Sequence, residues 1–155
     1  MKLRFYYIPM LSLCMVCASS CYKIETEANN LPQGFSVSQI IGTWKILGMS
    51  SDKAYDWDGN GTAETDIYNT WPDCQKDNLY QFNSNYSGSY KLSCNETKTG
   101  AWRLDGTITL VWKASGSPEI YEKIVYLTSD TMKTQISMKQ SNGETYTITK
   151  FWKLQ

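Results

Sequence analysis

The chain has 155 residues, with fifteen basic and fifteen acidic side chains and a net charge of zero. This balance leaves no basic patch for nucleic acid. The absence of histidine removes the commonest general base, the Ser-His and Cys-His nucleophile pairs and most zinc sites. Six tryptophans and eleven tyrosines favour strands, so the composition indicates a β-rich protein outside these catalytic classes.

The first twenty residues have the pattern of a secretory signal. Lys2 and Arg4 make a cationic start, and the apolar run over 5–16 is shorter than the roughly 20 residues that a membrane-spanning helix needs. The stretch "ASSC" at 18–21 resembles the processing site of bacterial lipoproteins. We expect cleavage before Cys21, which would then carry a lipid anchor. The alternative is an ordinary secreted chain in which Cys21 is free.

The residues after Cys21 indicate a location and a domain boundary. Tyr22, where an aspartate would signal retention in the inner membrane, is consistent with sorting to the outer membrane, and Glu25 and Glu27 resemble surface-export signals of Bacteroidetes-type lipoproteins. The polar stretch over 21–37 is typical of a flexible tether. We therefore expect a signal peptide at 1–20, a tether at 21–37 that holds the protein to the outer membrane, and one domain at 38–155.

From residue 42 onward, short aromatic and β-branched runs alternate with turn formers. Asp105-Gly106 and Asn142-Gly143 are strong hairpin signals. The predicted strands are 42–49, 78–82, 86–93, 100–104, 107–113, 119–127, 132–139 and 144–154.

Eight strands joined by hairpins form either an open meander or a closed barrel. Closure removes the exposed edges that a meander must protect, and an eight-stranded barrel either fills with side chains or holds one small ligand. We predict an all-β fold, a single eight-stranded antiparallel up-and-down β-barrel, and a monomer.

Two cysteines remain in the predicted domain, Cys74 and Cys94. An exported domain most simply joins two such cysteines in one disulfide. If Ser84 and Asn85 form the turn between them, the numbers of paired residues sum to about 169 and Cys74 lies opposite residue 95. The bond would then hold the open end of that hairpin together.

Two short stretches resemble one known family. "IGTWKI" at 41–46 resembles the Gly-X-Trp signature of the first lipocalin strand, and "CQKDNLYQF" at 74–82 resembles the lipocalin-like lipoproteins of Bacteroidetes-type bacteria. The resemblance covers about residues 38–155. It implies a lipocalin-like barrel whose end is plugged by Trp44, with Lys150 or Lys153 packed over it. It implies little chemistry, because the ligands of that family are mostly unassigned.

The stretch "DWDGNGTAETD" at 56–66 places oxygen-bearing side chains at alternate positions around a glycine. Calcium takes about six to eight oxygen ligands, and such spacing supplies them, but position 12 of the pattern is Ile67 rather than glutamate. Two interpretations stay open: a structural Ca²⁺ site that orders the loop, and a polar turn made of the usual turn formers. The candidate metal ligands are Asp56, Asp58, Asn60, Thr62, Glu64 and Asp66.

Candidate ligand contacts come from strand parity and from aromatic residues in the long segment between the first two strands. Loop aromatics often mark binding surfaces. The candidate contacts are Trp44, Tyr90, Trp102, Trp112, Ile136, Met138, Trp57 and Trp71.

We expect an outer-membrane lipoprotein that binds a small apolar or amphipathic ligand in its barrel, without catalytic residues. The alternative is a non-enzymatic interaction module with a filled barrel, which docks a glycan or a partner protein on the aromatic loop 55–71. An apolar cavity of roughly several hundred cubic ångströms favours the first. A packed interior with exposed loop aromatics favours the second.

Overall fold

The computed structural model describes residues 36–94, 96–106 and 108–155, and within these ranges nine strands form one antiparallel sheet. The predicted signal and Cys21 lie outside the described residues. Two short helices lie between the second and third strands, and a 3-10 helix at Val37–Gln39 precedes the first strand. The elements are β1 (Gly42–Tyr55), β2 (Glu64–Asp66), α1 (Ile67–Thr70), α2 (Asp73–Lys76), β3 (Tyr80–Phe82), β4 (Ser87–Ser93), β5 (Glu96–Asp105), β6 (Thr109–Ala114), β7 (Ile120–Leu127), β8 (Thr131–Lys139) and β9 (Thr145–Leu154).

Strand β1 closes this sheet into a barrel. Trp44 pairs with Tyr80 of β3 and also with Leu154 of β9, so the first and last strands meet. The strands from β3 to β9 pair in chain order, and β2 pairs only with the far end of β1. The barrel therefore consists of eight strands, β1 and β3–β9, and the predicted up-and-down barrel is confirmed.

Alternation along the strands sends one set of side chains inward. In β9, Tyr146, Ile148 and Trp152 are buried. They are two and four residues apart, so they lie on the same face of the strand. In β1 the register shifts between Ile46 and Gly48. The extra residue, Leu47, faces outward and is 51% exposed. This bulge reverses the parity of β1 and turns Met49 inward, opposite Lys150.

The two ends of the barrel differ. Trp44 is fully buried at the end where β1 begins, and its indole Nε1 donates to the Ile40 carbonyl over 2.8 Å. We call this the closed end. At the other end, the mouth, the segment 56–79 passes from β1 to β3 and carries β2, α1 and α2. We call this segment the lid.

The first hairpin departs from the predicted register. Its turn has three residues rather than two, because Tyr86 adopts a left-handed conformation with φ of 63°. Tyr80 therefore pairs with Tyr90, and paired numbers sum to 170 rather than 169. The predicted disulfide between Cys74 and Cys94 is present, but Cys74 lies in α2 and not on a strand opposite residue 95, so that placement was wrong.

Candidate functional site

Aromatic side chains fill the half of the barrel next to the closed end. Ring centroids lie 4.9 Å apart for Tyr80 and Trp152, and 5.0 Å apart for Tyr90 and Trp112. Burial raises the pKa of Tyr90 to about 12. It also raises the pKa of Tyr80, with a contribution from the charge of Glu122. This half is a packed core whose buried aromatic residues are Trp44, Tyr80, Phe82, Tyr90, Trp102, Trp112 and Trp152.

A buried ion pair lies in the middle of the barrel. Lys150 Nζ is 2.6 Å from a carboxylate oxygen of Glu122, which is fully buried. Glu122 also accepts hydrogen bonds from Trp112 Nε1 over 3.0 Å and from Thr134 Oγ1 over 2.5 Å. Trp152 Nε1 donates to the same threonine hydroxyl over 2.8 Å. The carboxylate is thus held by three donors, as a buried charge requires.

The basic residues of β9 lie elsewhere than the resemblance implied. Lys150 Nζ lies 5.9 Å from the ring centroid of Trp112 and 5.7 Å from that of Trp152, rather than over Trp44. Lys153 forms an ion pair with Asp130 on the surface. The reason is the Glu122 carboxylate, which attracts the Lys150 ammonium toward the middle of the barrel.

The mouth contains a cavity of about 370 Å³. Met49 and Ile148 reach it from the inner faces of β1 and β9, Met138, which is 42% exposed, reaches it from the mouth end of β8, and the lid forms the opposite wall. Its volume lies within the range of small-molecule pockets, roughly 300–1,000 Å³, and most of its lining is apolar. The lining residues are Met49, Trp57, Asp58, Ile67, Thr70, Trp71, Gln75, Met138 and Ile148.

Trp57 is fixed in the lid by Glu64. Its backbone N–H donates to the Glu64 carboxylate and its indole Nε1 donates to the Glu64 backbone carbonyl, both at a distance of 3.1 Å. Its ring packs edge-on against Tyr55 at 5.0 Å and against Tyr146 at 5.5 Å between centroids. The indole is therefore held over the mouth, half-buried, as part of the cavity wall.

The two short helices bring the rest of the lid to the cavity. Asp66 caps α1 by accepting from the backbone and the side-chain amide of Asn69 over 3.1 and 2.7 Å. This cap places Ile67, 6% exposed, in the cavity wall. The disulfide attaches α2, which carries Gln75, to the end of β4 at Cys94. Both helices are thus tied to the barrel.

The candidate calcium loop brings three of its six predicted ligands together. Carboxylate oxygens of Asp56, Asp58 and Glu64 lie within 4.8 Å of one another. Asp58 accepts from Asn60 N over 3.1 Å, and Asp56 from Gly61 N over 2.8 Å. These bonds close the turn by themselves, as the polar-turn interpretation expects. The other oxygen of Asp56, Oδ1, is buried without a hydrogen-bond partner.

Two of the three remaining predicted metal ligands accept hydrogen bonds within the lid. The Asp66 carboxylate caps α1, as described above. The side chain of Asn60 accepts from Thr62 N over 2.7 Å, and the Thr62 side chain is exposed. Ile67, at position 12 of the pattern, faces the cavity.

The predicted ligand contacts separate into two groups. Trp44, Tyr90, Trp102 and Trp112 belong to the packed core of the closed half, and Ile136 packs beside Ile67, Tyr146 and Ile148. Only Met138, Trp57 and Trp71 of the predicted set line the described cavity. Sequence reasoning missed Met49, because the bulge at Leu47 reverses its parity. It also missed Ile67, which was considered only as a failed metal ligand.

These features are those of a small barrel with a covered mouth. The model of one protein family, described as the lipocalin-like domain, matches residues 40–134, from just before β1 to within β8. The chain belongs to the lipocalin-like domain family. No curated protein sequence matches this chain. In the described part of this lipocalin-like domain, no helix has the length and apolar content needed to cross a membrane.

Solved structures similar to this lipocalin-like domain include bovine odorant-binding proteins. A deswapped triple mutant of the bovine protein is 12% identical with a TM-score of 0.42, over 76% of this chain and 74% of that one. A complex of the bovine protein with undecanal is 14% identical with a TM-score of 0.42, over 78% of this chain and 74% of that one.

Proposed function

We propose that this lipocalin-like domain is a non-enzymatic binding protein that holds a small apolar or amphipathic molecule in the cavity at the barrel mouth. The cavity itself carries the proposal. Six of its nine lining residues are apolar, and they come from the barrel wall and from the lid alike. An apolar ligand there would bury its surface and that of the wall from water, which is the main driving force for such binding.

The arrangement of Trp57 and Trp71 favours this function over the docking of a glycan or a partner protein. Both indoles line the cavity and are only partly exposed. Trp71 also packs against Tyr68, with 5.7 Å between ring centroids. An aromatic docking patch would instead present its rings to solvent. The loop aromatics therefore fit the wall of a pocket better than an external recognition surface.

Displacement of a neutral fluorescent probe tests the proposal. N-phenylnaphthylamine is expected to bind the full exported chain carrying Cys21→Ser, and decanol is expected to displace it. Met138→Trp fills part of the cavity and should weaken probe binding about tenfold, which is about 1.4 kcal/mol. Ser137→Trp adds the same ring at the exposed neighbouring position on β8 and should leave binding unchanged. Equal affinities for the two variants would refute binding in this cavity.

We further propose that the protein is a lipoprotein anchored to the outer membrane through Cys21. The signal pattern over 1–20, the "ASSC" stretch and the polar tether support this location. A lipid-modified cysteine anchors a chain because each buried methylene contributes about 0.8 kcal/mol. Cys21→Ser should move the protein from the membrane fraction to the soluble fraction and abolish incorporation of labelled fatty acid. Unchanged fractionation would contradict the anchor.

A further inference from the structure

The charges around the cavity are unevenly distributed. Among the described residues, Asp58 is the only charged residue in the cavity wall, where it follows Trp57. The wall also contains a second indole, that of Trp71. The polar side of the cavity therefore combines a carboxylate with two aromatic rings.

Two further carboxylates lie close to Asp58. Oxygens of Asp56 and Glu64 lie within 4.8 Å of one of its own. Within the described ranges, none of the seven ion pairs includes any of these three acids. One oxygen of Asp56 is also buried without a hydrogen-bond partner. Three like charges so close together repel one another, and a cation placed beside them relieves that repulsion.

Three lysines of the described residues that lie near the mouth or below the cavity contact groups other than the acids of the lid. Lys53 Nζ lies 3.9 Å from Glu144 and over the ring of Tyr146. Lys76 Nζ lies 3.7 Å from Asp73 and over the ring of Tyr68. Lys150, below the cavity, is paired with Glu122. None of these three lysines therefore forms an ion pair with Asp56, Asp58 or Glu64 of the lid.

We propose that the mouth cavity selects amphipathic ligands whose polar end is positively charged, such as a primary or quaternary ammonium. This inference rests on the proposed function of the same cavity. The apolar tail lies among Met49, Met138 and Ile148, and the ammonium lies at Asp58 beside the indoles. Aromatic faces attract such cations. A ligand of the same length with a carboxylate head is repelled by the same group of acids.

A series of ligands with one tail and three heads tests the proposal. Decyltrimethylammonium, decanol and decanoate compete with N-phenylnaphthylamine for the full exported chain carrying Cys21→Ser, below their micellar concentrations and with chelator to remove divalent ions. The cation should displace the probe at a concentration about tenfold lower than the anion does, with decanol between them. Added salt should reduce the difference between the displacing concentrations of the cation and the anion, because salt screens exposed charges.

Asp58→Asn and Asp105→Asn form a matched pair of variants. Both remove one negative charge, but Asp105 is exposed at the closed end of β5, on the far side of the barrel from the cavity. Asp58→Asn should lower the affinity for the cation relative to the affinity for decanol by about threefold or more. Asp105→Asn should change neither.

The outcomes separate this inference from the function on which it rests. If none of the three ligands displaces the probe, the proposed binding function fails. If decanol binds and decanoate binds as tightly as the cation, the binding function stands and the selectivity for cations is overturned. The wild-type series decides this even if Asp58→Asn does not fold.

Discussion

At the scale of single residues, the burial of the Glu122 carboxylate depends on the groups that contact it. It is a fully buried carboxylate in a barrel whose neighbouring layers are aromatic, and Lys150 supplies the one opposite charge that contacts it in the described structure. Desolvating such a pair costs free energy that the attraction between the two charges must offset. Removing one partner leaves the other charged and buried, so the two residues must be considered together.

Replacing Lys150 by methionine should therefore destabilise the domain by about 3–5 kcal/mol. Urea unfolding followed by tryptophan fluorescence measures this change. Adding Glu122→Gln to the same chain removes the unpaired charge and should restore much of the loss. Lys153→Met is the control, because its ion pair with Asp130 lies on the surface and its loss should matter far less. Equal losses for Lys150→Met and Lys153→Met would contradict this account.

Sequence alone could not reveal this pair. Alternation along β8 and β9 places Thr134 and Lys150 on the inward side with Trp152, and the resemblance implied that Lys150 or Lys153 packs over Trp44, but neither observation indicates an acidic partner. Glu122 is followed directly by the charged Lys123, so the sequence does not show which of the two faces inward. The pair becomes visible only when closure of the barrel brings β7 and β9 together around one interior.

At the scale of elements, strands were predictable and irregularities were not. Hydrophobic alternation and turn residues located all eight barrel strands. The bulge at Leu47 and the left-handed Tyr86 each add one residue; Gly48 follows the bulge, but Tyr86 occupies a position where glycine is usual. The helices of the lid span four residues each, too few to show a helical period.

The disulfide is the element that holds the lid to the barrel. Cys74→Ala with Cys94→Ala opens a loop with a sequence separation of 20 residues, which should cost about 3 kcal/mol in the chain-entropy model. Because α2 carries Gln75 to the cavity, the affinity for N-phenylnaphthylamine should also fall. Thermal melting and probe titration measure the two effects. A loss of stability with unchanged affinity would show that the lid keeps its place without the bond.

The calcium interpretation of the lid loop stays a prediction. A site that binds calcium only in the folded state must raise the melting temperature as calcium increases. Melting curves in millimolar calcium and in chelator therefore test it. Asp58→Asn should abolish the shift, and Asp105→Asn should preserve it. No shift in the wild-type protein would leave the polar turn as the remaining interpretation.

At the scale of the whole molecule, the barrel has a packed half and an open half. The aromatic core and the ion pair occupy the closed half and the middle, so the cavity lies under the lid and not along the full length of the interior. The sequence predicted that the sheet closes into a barrel, because closure removes the exposed edge strands that an open eight-stranded meander would have. It could not locate the cavity, whose wall joins residues from distant parts of the chain.

Methionine methyl resonances test the location of the ligand most directly. The domain contains three methionines: Met49 and Met138 line the cavity, and Met132 is fully buried in the closed half. With methyl-labelled methionine in the full exported chain carrying Cys21→Ser, titration with decanol should shift the resonances of Met49 and Met138 and leave that of Met132 in place. A shift of Met132 alone, or of none of the three, would contradict binding at the mouth.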